Sequence, residues 1–468
     1  MMRPALDRLV GALSRLVLRV FFRRIEVVGA ERLVTDGPLL LVANHVNGLI
    51  DALFVFGPLG QRARMLGKST LWRIPGLASL LDLAGAIPVH RRKDVAEGAD
   101  PSKNLETFAR CHEALARGER IALFPEGISH DEPRLQPLRT GAARIALEAE
   151  RRFGPLGVRI QPVGLVFEAR HRFRSRALVV VGEPIDPAPE RALAARDENE
   201  AVRTLTARLA EALERVTLNY RSWEDARLIE LGARVVDRRD AARGGRGRFS
   251  AAFEMRRALA DGLVRLRREH PREVAAAAGA ALEYEEMLRA AGVSDEQVAA
   301  RPGLGAAARF VGNTLARLTF ASPVAAIGTL LNLVPWLGVA AIARRFRSEP
   351  NQIATYKVFP ALVLYPATWA AEAFLALREL GSGLAAAAVA LVAPLSGWIA
   401  MRWHERRDVL WRESRAFLFL HGRKRVAGEL AARRGAVERE IERLIELWRA
   451  LQPEGSPPAS PASSSSRA

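Results

Sequence analysis

Cysteine is almost missing: Cys111 is the only one in 468 residues. A lone thiol cannot close an intrachain disulfide and lacks the spaced partners of a thiolate metal site, so neither oxidative folding nor structural zinc is implied. Aromatic residues make up only 6% of the chain. A surface that stacks bases between aromatics and cations is therefore poorly supplied, and no nucleic-acid partner is expected. Two catalytic signatures are also absent. No Gly-x-Ser-x-Gly elbow occurs, which argues against a serine hydrolase using Ser129. Gly67-Lys68-Ser69 resembles the end of a phosphate-binding loop, but Arg62 stands where that loop needs its first glycine.

Basic residues are plentiful: 70 against 52 acidic ones, a formal charge of +18. An excess of this sign suits an anionic partner such as the cytoplasmic face of a membrane. Only five of the 70 are lysines, so part of the excess reflects arginine-rich usage, and hydropathy carries more weight. Residues 320–343 and 380–401 contain no charge and are each long enough to cross a bilayer.

At about three times the usual domain length, the chain is expected to hold several folded units. Residues 1–24 place Leu6, Leu9, Val10, Leu13, Leu16, Val17, Val20 and Phe21 at three- and four-residue steps among arginines. They read as a basic amphipathic helix that either lies in the lipid interface or packs on the globular domain. The arginines deny the uninterrupted apolar centre of a secretory signal, so no cleaved leader is expected. From 25 to 215, apolar runs at 39–43, 86–89, 121–124, 158–166 and 177–181 alternate with helical patterns near 49–58, 102–117 and 140–150. This order predicts an α/β domain, a mixed central sheet flanked by helices. Residues 216–305 read as an all-α region, 306–405 as hydrophobic membrane helices, 406–452 as a charged helix, and 453–468 as a disordered Pro/Ser-rich tail.

Within 306–405, Pro323, Pro335, Pro360, Pro366 and Pro394 interrupt the apolar runs. If the flanking arginines stay cytoplasmic, the first run dips and returns near Pro335, and the other two form a hairpin with its tip at Gly381–Gly383. Three full crossings and a buried soluble bundle are the alternatives.

The strongest local feature runs from Leu39 to Asp51. A buried strand delivers Asn44 and His45 at its carboxyl end, the edge where open α/β sheets place their sites. Imidazole can take a proton from a hydroxyl near pH 7, and a carboxylate can fix its tautomer and balance its charge. On one regular helix, His45 and Asp51 would lie about 120° apart. His45 must therefore precede the helix, with Asp51 in its first turns. A second strand, Ile121 to Phe124, ends in Pro125-Glu126-Gly127, and a third, Gly85 to Val89, leads to Arg91, a guanidinium suited to phosphate.

Taken together and in this order, the segments resemble the glycerolipid acyltransferases. The matching blocks are Asn44, His45 and Asp51; Gly85 to Arg91; Phe124 to Gly127; and Ile160 to Gly164. Arg139-Thr140-Gly141 and Val181 to Ile185 extend the likeness, which covers roughly residues 10–215. One departure stands out: five residues separate His45 from Asp51 where the common pattern has four. Together with Asn47, this spacing is similar to a bacterial 1-acylglycerol-3-phosphate acyltransferase-like branch and to fungal glycerol-3-phosphate or dihydroxyacetone-phosphate acyltransferases.

The resemblance implies a membrane-bound enzyme of phospholipid synthesis. It would move a fatty acyl group from acyl-CoA or acyl carrier protein to a hydroxyl of glycerol 3-phosphate or 1-acylglycerol 3-phosphate. His45 would be the general base and Asp51 its partner, with no acyl-enzyme. Pro125, Glu126 and Gly127 would hold the glycerol backbone, and Arg91, with Lys68 as a second candidate, the phosphate. No bound cofactor and no metal are implied. The expected partners are membrane lipids, the acyl donor and a phosphorylated glycerol-based acceptor. The expected location is the bacterial inner membrane, with the catalytic domain on its cytoplasmic face. The rival is a non-enzymatic lipid-binding or scaffold protein with an acyltransferase-like domain.

Overall fold

The run Leu39–Ala43 is apolar throughout, and in the computed structural model of the chain it is β2, the middle strand of a seven-stranded sheet, buried along its whole length. The structure describes residues 2–74, 77–170, 172–242, 249–300, 302–345 and 352–451. The chain divides into two compact units. The first comprises Met1–Arg221 with two later segments, Gly247–Arg257 and Arg347–Thr355.

In the first unit the strands are β1 (Arg24–Val28), β2, β3 (Ala63–Lys68), β4 (Ile87–Val89), β5 (Arg120–Leu123), β6 (Arg159–Phe167) and β7 (Arg176–Val181). Their order across the sheet is β1-β7-β6-β2-β5-β3-β4, and only the β6–β7 pair is antiparallel. The helices are α1 (Met2–Phe21), α2 (Leu49–Phe56), α3 (Leu77–Leu83), α4 (Asn104–Ala116), α5 (Gly141–Phe153), α6 (Ala188–Ala194) and α7 (Glu198–Val216). Because β2, β3, β4, β5 and β6 are mutually parallel through their ladders, their carboxyl ends collect at one edge. That shared edge is what can build a site from segments far apart in sequence.

Side chains alternate across a strand, so β2 serves two cores. Leu40 and Val42 join Cys111 and Leu115 of α4, Ile145 of α5 and Leu205 of α7 in one buried cluster. Elsewhere Phe22, Phe54 and Phe167 pack ring against ring, with centroids 5.5–5.6 Å apart. Such pairs add about 0.5–1.5 kcal/mol each beyond the area they bury. Leu18, Phe21 and Phe22 tie α1 into this unit, while Leu9, Leu13 and Leu16 on the same helix stay exposed.

The remaining helices are α8 (Trp223–Ala242), α9 (Phe249–Glu269), α10 (Pro271–Ala291), α11 (Asp295–Ala300), α12 (Leu304–Leu331), α13 (Leu333–Arg345), α14 (Ile353–Leu380), α15 (Gly383–Gly422) and α16 (Lys424–Ala450). The region read as a separate helical block from 216 to 305 is not separate at its centre. Phe249 and Phe253, in the first turns of α9, lie in the core of the α/β unit, and Glu26 of β1 accepts the Phe249 and Ser250 N–H groups at 3.2 and 3.1 Å. An acidic side chain there offsets the unpaired amides of a helix N-terminus.

In the second unit, α12, α14 and α15 are long and apolar enough to cross a membrane. The first apolar run, expected to dip and return near Pro335, is helical up to a break three residues before that proline. Residues 304–331 form one continuous helix, and the break falls at Asn332. Pro323 is accommodated within α12 because the Ser322 hydroxyl donates to the Thr319 carbonyl at 2.8 Å, the group that loses its partner to the proline. Pro335 sits in the first turn of α13, where a missing N–H costs nothing. The turn at Gly381-Ser382 does join α14 to α15, but the close partner of α15 is α12. Gly328 lies against the backbone of Ser396, so near that a Cβ there would stand 2.1 Å from its carbonyl oxygen. Asn332 donates to the Gly328 and Ala393 carbonyls at 2.8 and 3.0 Å and accepts the Trp369 indole N–H at 2.9 Å. Nor does a helix end near 405, since α15 continues to Gly422. The tail expected at 453–468 lies outside the described residues.

Candidate active site

Just past β2 the chain turns out of the sheet. The Asn44 side chain continues the ladder in place of the backbone: its amide donates to the Leu165 carbonyl at 3.0 Å and its oxygen accepts the Leu165 N–H at 2.7 Å. This pins the strand end to β6 and sets the next residue, His45, at the carboxyl edge. Gly48 then takes a conformation with φ 56° and ψ −138°, a region that side chains exclude, and α2 begins.

Asp51 lies in the first turn of α2 and is fully buried, while the His45 side chain is 20% exposed. Imidazole Nδ1 and Asp51 Oδ2 are 3.0 Å apart. The same oxygen accepts the N–H groups of Val46 and Asn47 at 2.9 and 2.8 Å. One carboxylate thus organises the whole loop from 45 to 47 and turns Nδ1 inward. Nε2 has no hydrogen-bond partner among the described residues. The ring stacks on Phe124, with centroids 4.1 Å apart and planes within 5°.

Behind this pair, Arg170 forms an ion pair with Asp131, and its carbonyl accepts the Asn47 amide at 3.4 Å. Burial lowers the guanidinium pKa from its ordinary value, and the Asp51 carboxylate nearby pulls it back up. The N-terminus of α2 is closed by two hydroxyls. Ser129 accepts the Gly48 N–H at 3.2 Å, and Thr355, from the last segment of the first unit, accepts the Leu49 N–H at 3.1 Å.

The Phe124 to Gly127 turn lies at the end of β5, the neighbour of β2. Gly127 donates to the Phe124 carbonyl at 3.0 Å and has φ +69°, and the Pro125 carbonyl accepts the Arg139 N–H at 2.7 Å. Glu126 is 2% exposed and wholly occupied inside the protein. Oε1 accepts the His45 N–H at 2.7 Å, while Oε2 accepts the Gln136 N–H at 2.8 Å and meets His130 Nε2. Both oxygens of Glu126, the expected holder of a substrate hydroxyl, thus accept hydrogen bonds from the two loops they join.

Arg91 is also committed. Its guanidinium pairs with Asp94 and donates to the Gly127 carbonyl at 3.0 Å. Lys68 reaches the same edge, through the register Lys68↔Val89, but lies 3.6 Å from Glu97. By contrast, exposed Arg139 has no side-chain hydrogen bond or ion pair among the described residues, and its Cγ would lie 3.4 Å from a Cβ at position 127. Sequence reasoning singled out neither His130 nor Thr355. His130 follows the turn with no distinctive spacing, and Thr355 is 306 positions from Leu49. Among the described residues no group of His, Cys, Asp and Glu is arranged to hold a metal ion.

The segments that build this site lie within a stretch of the chain that is similar to known proteins. Residues 24–166 match the Acyltransferase family model. An uncharacterized acyltransferase of Schizosaccharomyces pombe is 25% identical over 304 residues, covering 47% of this chain and 45% of the relative. Glycerol-3-phosphate O-acyltransferase 1 of Saccharomyces cerevisiae is 34% identical over 128 residues, 26% of this chain and 17% of the relative. A chloroplastic 1-acyl-sn-glycerol-3-phosphate acyltransferase of Brassica napus is 27% identical over 146 residues, 31% of this chain and 38% of the relative. The chain spans less than half the length of each of these relatives.

Proposed function

We propose that the protein is a membrane-bound glycerolipid O-acyltransferase that moves a fatty acyl group from a thioester, acyl-CoA or acyl carrier protein, to a hydroxyl of glycerol 3-phosphate or 1-acylglycerol 3-phosphate. The observation that carries this reading is the 3.0 Å contact between His45 Nδ1 and buried Asp51, which leaves Nε2 as the free nitrogen of a partly exposed ring. A base in this arrangement takes the acceptor's hydroxyl proton on Nε2 as the oxygen attacks the thioester carbonyl. Asp51 holds the tautomer and balances the imidazolium. Collapse of the tetrahedral intermediate breaks the carbon–sulfur bond, and the thiolate recovers the proton from Nε2. The products are an ester and a free thiol, with no covalent enzyme intermediate.

Arg139 is the preferred phosphate ligand in this reading, since Arg91 and Lys68 already face carboxylates. Two relatives named for different acceptors, glycerol 3-phosphate and its 1-acyl derivative, support both as candidates. The three long apolar helices support membrane insertion, and the arginines that flank them favour a cytoplasmic catalytic face, at the inner membrane of a bacterial cell. The test is full-length protein in lipid vesicles with labelled acyl-CoA and a panel of acceptors, the product identified by mass. His45→Ala is expected to lower kcat about 10³-fold, within the range of general-base catalysis, with fold and vesicle binding retained. Absence of product from every glycerol-based acceptor would instead favour a lipid-binding scaffold.

A further inference from the structure

Two histidines meet at this edge, and the second has no role in the chemistry above. The His130 ring is buried, at 8% exposure, and both its nitrogens are engaged. Nδ1 accepts the Glu132 N–H at 3.1 Å, so the ring hydrogen resides on Nε2, which donates to Glu126 Oε2. The other oxygen of Glu126 accepts the His45 N–H at 2.7 Å. On the opposite side of the same residue, the His130 backbone N–H donates to the His45 carbonyl at 3.2 Å. His130 thus holds His45 twice, directly at its carbonyl and through Glu126 at its amide.

We propose that His130 is a positioning residue for acyl transfer, fixing the main chain of His45 through the Glu126 carboxylate so that Nε2 keeps its direction. The consequence is that Glu126 serves the base and not the acceptor. Packing alone leaves His45 only the Phe124 stack and the Asp51 contact, and both act on its ring. Asn44 and the Asp51-held N–H groups of Val46 and Asn47 fix the residues on either side, and the bonds to the His45 N–H and carbonyl themselves come from Glu126 and His130. A small displacement of a catalytic group lowers the rate without weakening substrate binding.

This inference rests on the acyltransferase reading, and the experiment separates the two. His130→Leu, His130→Gln and wild type are compared as full-length protein in vesicles with labelled acyl-CoA and the acceptor panel. Hydrogen exchange of the segment containing residues 44–51 is followed in parallel. Leucine cannot donate to Glu126, whereas the glutamine amide can. His130→Leu is expected to lower kcat 10- to 100-fold with KM for donor and acceptor within twofold, and to speed exchange around His45 at least tenfold. His130→Gln is expected to restore most of both. A leucine variant with unchanged kcat, or with a raised acceptor KM as the main effect, overturns the proposal and returns Glu126 to the substrate. If wild type turns over no acceptor, the functional reading fails, and the exchange experiment still decides whether His130 holds His45: unchanged exchange overturns it. Should the leucine variant not fold, Glu126→Gln provides the same comparison, because its amide hydrogens oppose the donors of His130 and Gln136; equal kcat there overturns the proposal as well.

Discussion

The two units solve opposite burial problems. In the first, Leu39, Leu40 and Leu41 of β2 are at most 1% exposed, and the Asn44 amide at the strand end is paired with the Leu165 backbone. In the second, Phe320 of α12 and Leu384 of α15 are 90% and 82% exposed, while Asn332 is buried and paired on both sides of its amide. A water-facing protein hides apolar side chains; one that faces hydrocarbon must hide its polar groups. The two exposed surfaces therefore differ in kind, and that of the three long apolar helices suits hydrocarbon. Glycine serves both, since Gly164 of β6 and Gly328 of α12 each admit a neighbouring backbone where no Cβ fits.

The largest expected stability effect tests the first of these close contacts. A Cβ at position 164 would stand 1.7 Å from the carbonyl oxygen of Val216, the last residue of α7. Because that oxygen belongs to backbone, the neighbour cannot rotate away. Gly164→Val is expected to destabilise the α/β unit by about 3 kcal/mol, the upper range for overpacking. The midpoint of its thermal unfolding is the measurement, and an unchanged midpoint would mean that α7 does not press on β6.

An effect of similar size, on insertion instead of unfolding, tests the other surface. Leu391 is 62% exposed near the middle of the charge-free run of α15. Leu391→Arg should cost about 2.5–3.5 kcal/mol of insertion if this face meets lipid, and almost nothing if it meets water. Flotation of the protein with vesicles distinguishes these outcomes. Improved solubility with undiminished function would erase the contrast between the units.

How much of this was legible in the sequence follows from the same contrast. β2, β5 and β7 are buried and read as apolar runs. β1 and β3 were missed because Arg24 and Glu26 in one, and Arg64 and Lys68 in the other, break the apolar pattern on strands that are only partly buried. The His45–Asp51 pairing was legible because strand, loop and helix start within thirteen residues of each other. Asn44 and Gly164 were visible as motif positions, but their mechanical reasons, the bridge to Leu165 and the approach of Val216, depend on the sheet and α7. What could not be read is competition between partners. Arg91 is as well suited to phosphate as any arginine until Asp94 and the Gly127 carbonyl claim it. Similarly, Asn332 marks the helix break more decisively than Pro335, because its bonds reach α15 and α14, and no periodicity records them.

The smallest predicted effect concerns a histidine without the partners that His45 and His130 have. His112, on α4, is 4% exposed, and neither ring nitrogen has a hydrogen-bond partner among the described residues. Burial lowers its pKa from the ordinary value; Glu148 acts in the opposite direction, and Arg152 adds to the lowering. The unfolded chain therefore binds a proton before the folded one as the pH falls below about 6.5. Stability is lost across that window, from the unfolded value down to the lowered folded one, and recovered as pH rises. Replacing an unpartnered buried imidazole by a hydrocarbon of similar size removes both the proton linkage and the desolvation cost. His112→Leu should accordingly raise stability by about 1 kcal/mol at pH 5.5, with a smaller gain at pH 8. Unfolding midpoints at the two pH values measure the difference. A variant equally displaced at both would show that packing around Phe108, not protonation, is what His112 contributes.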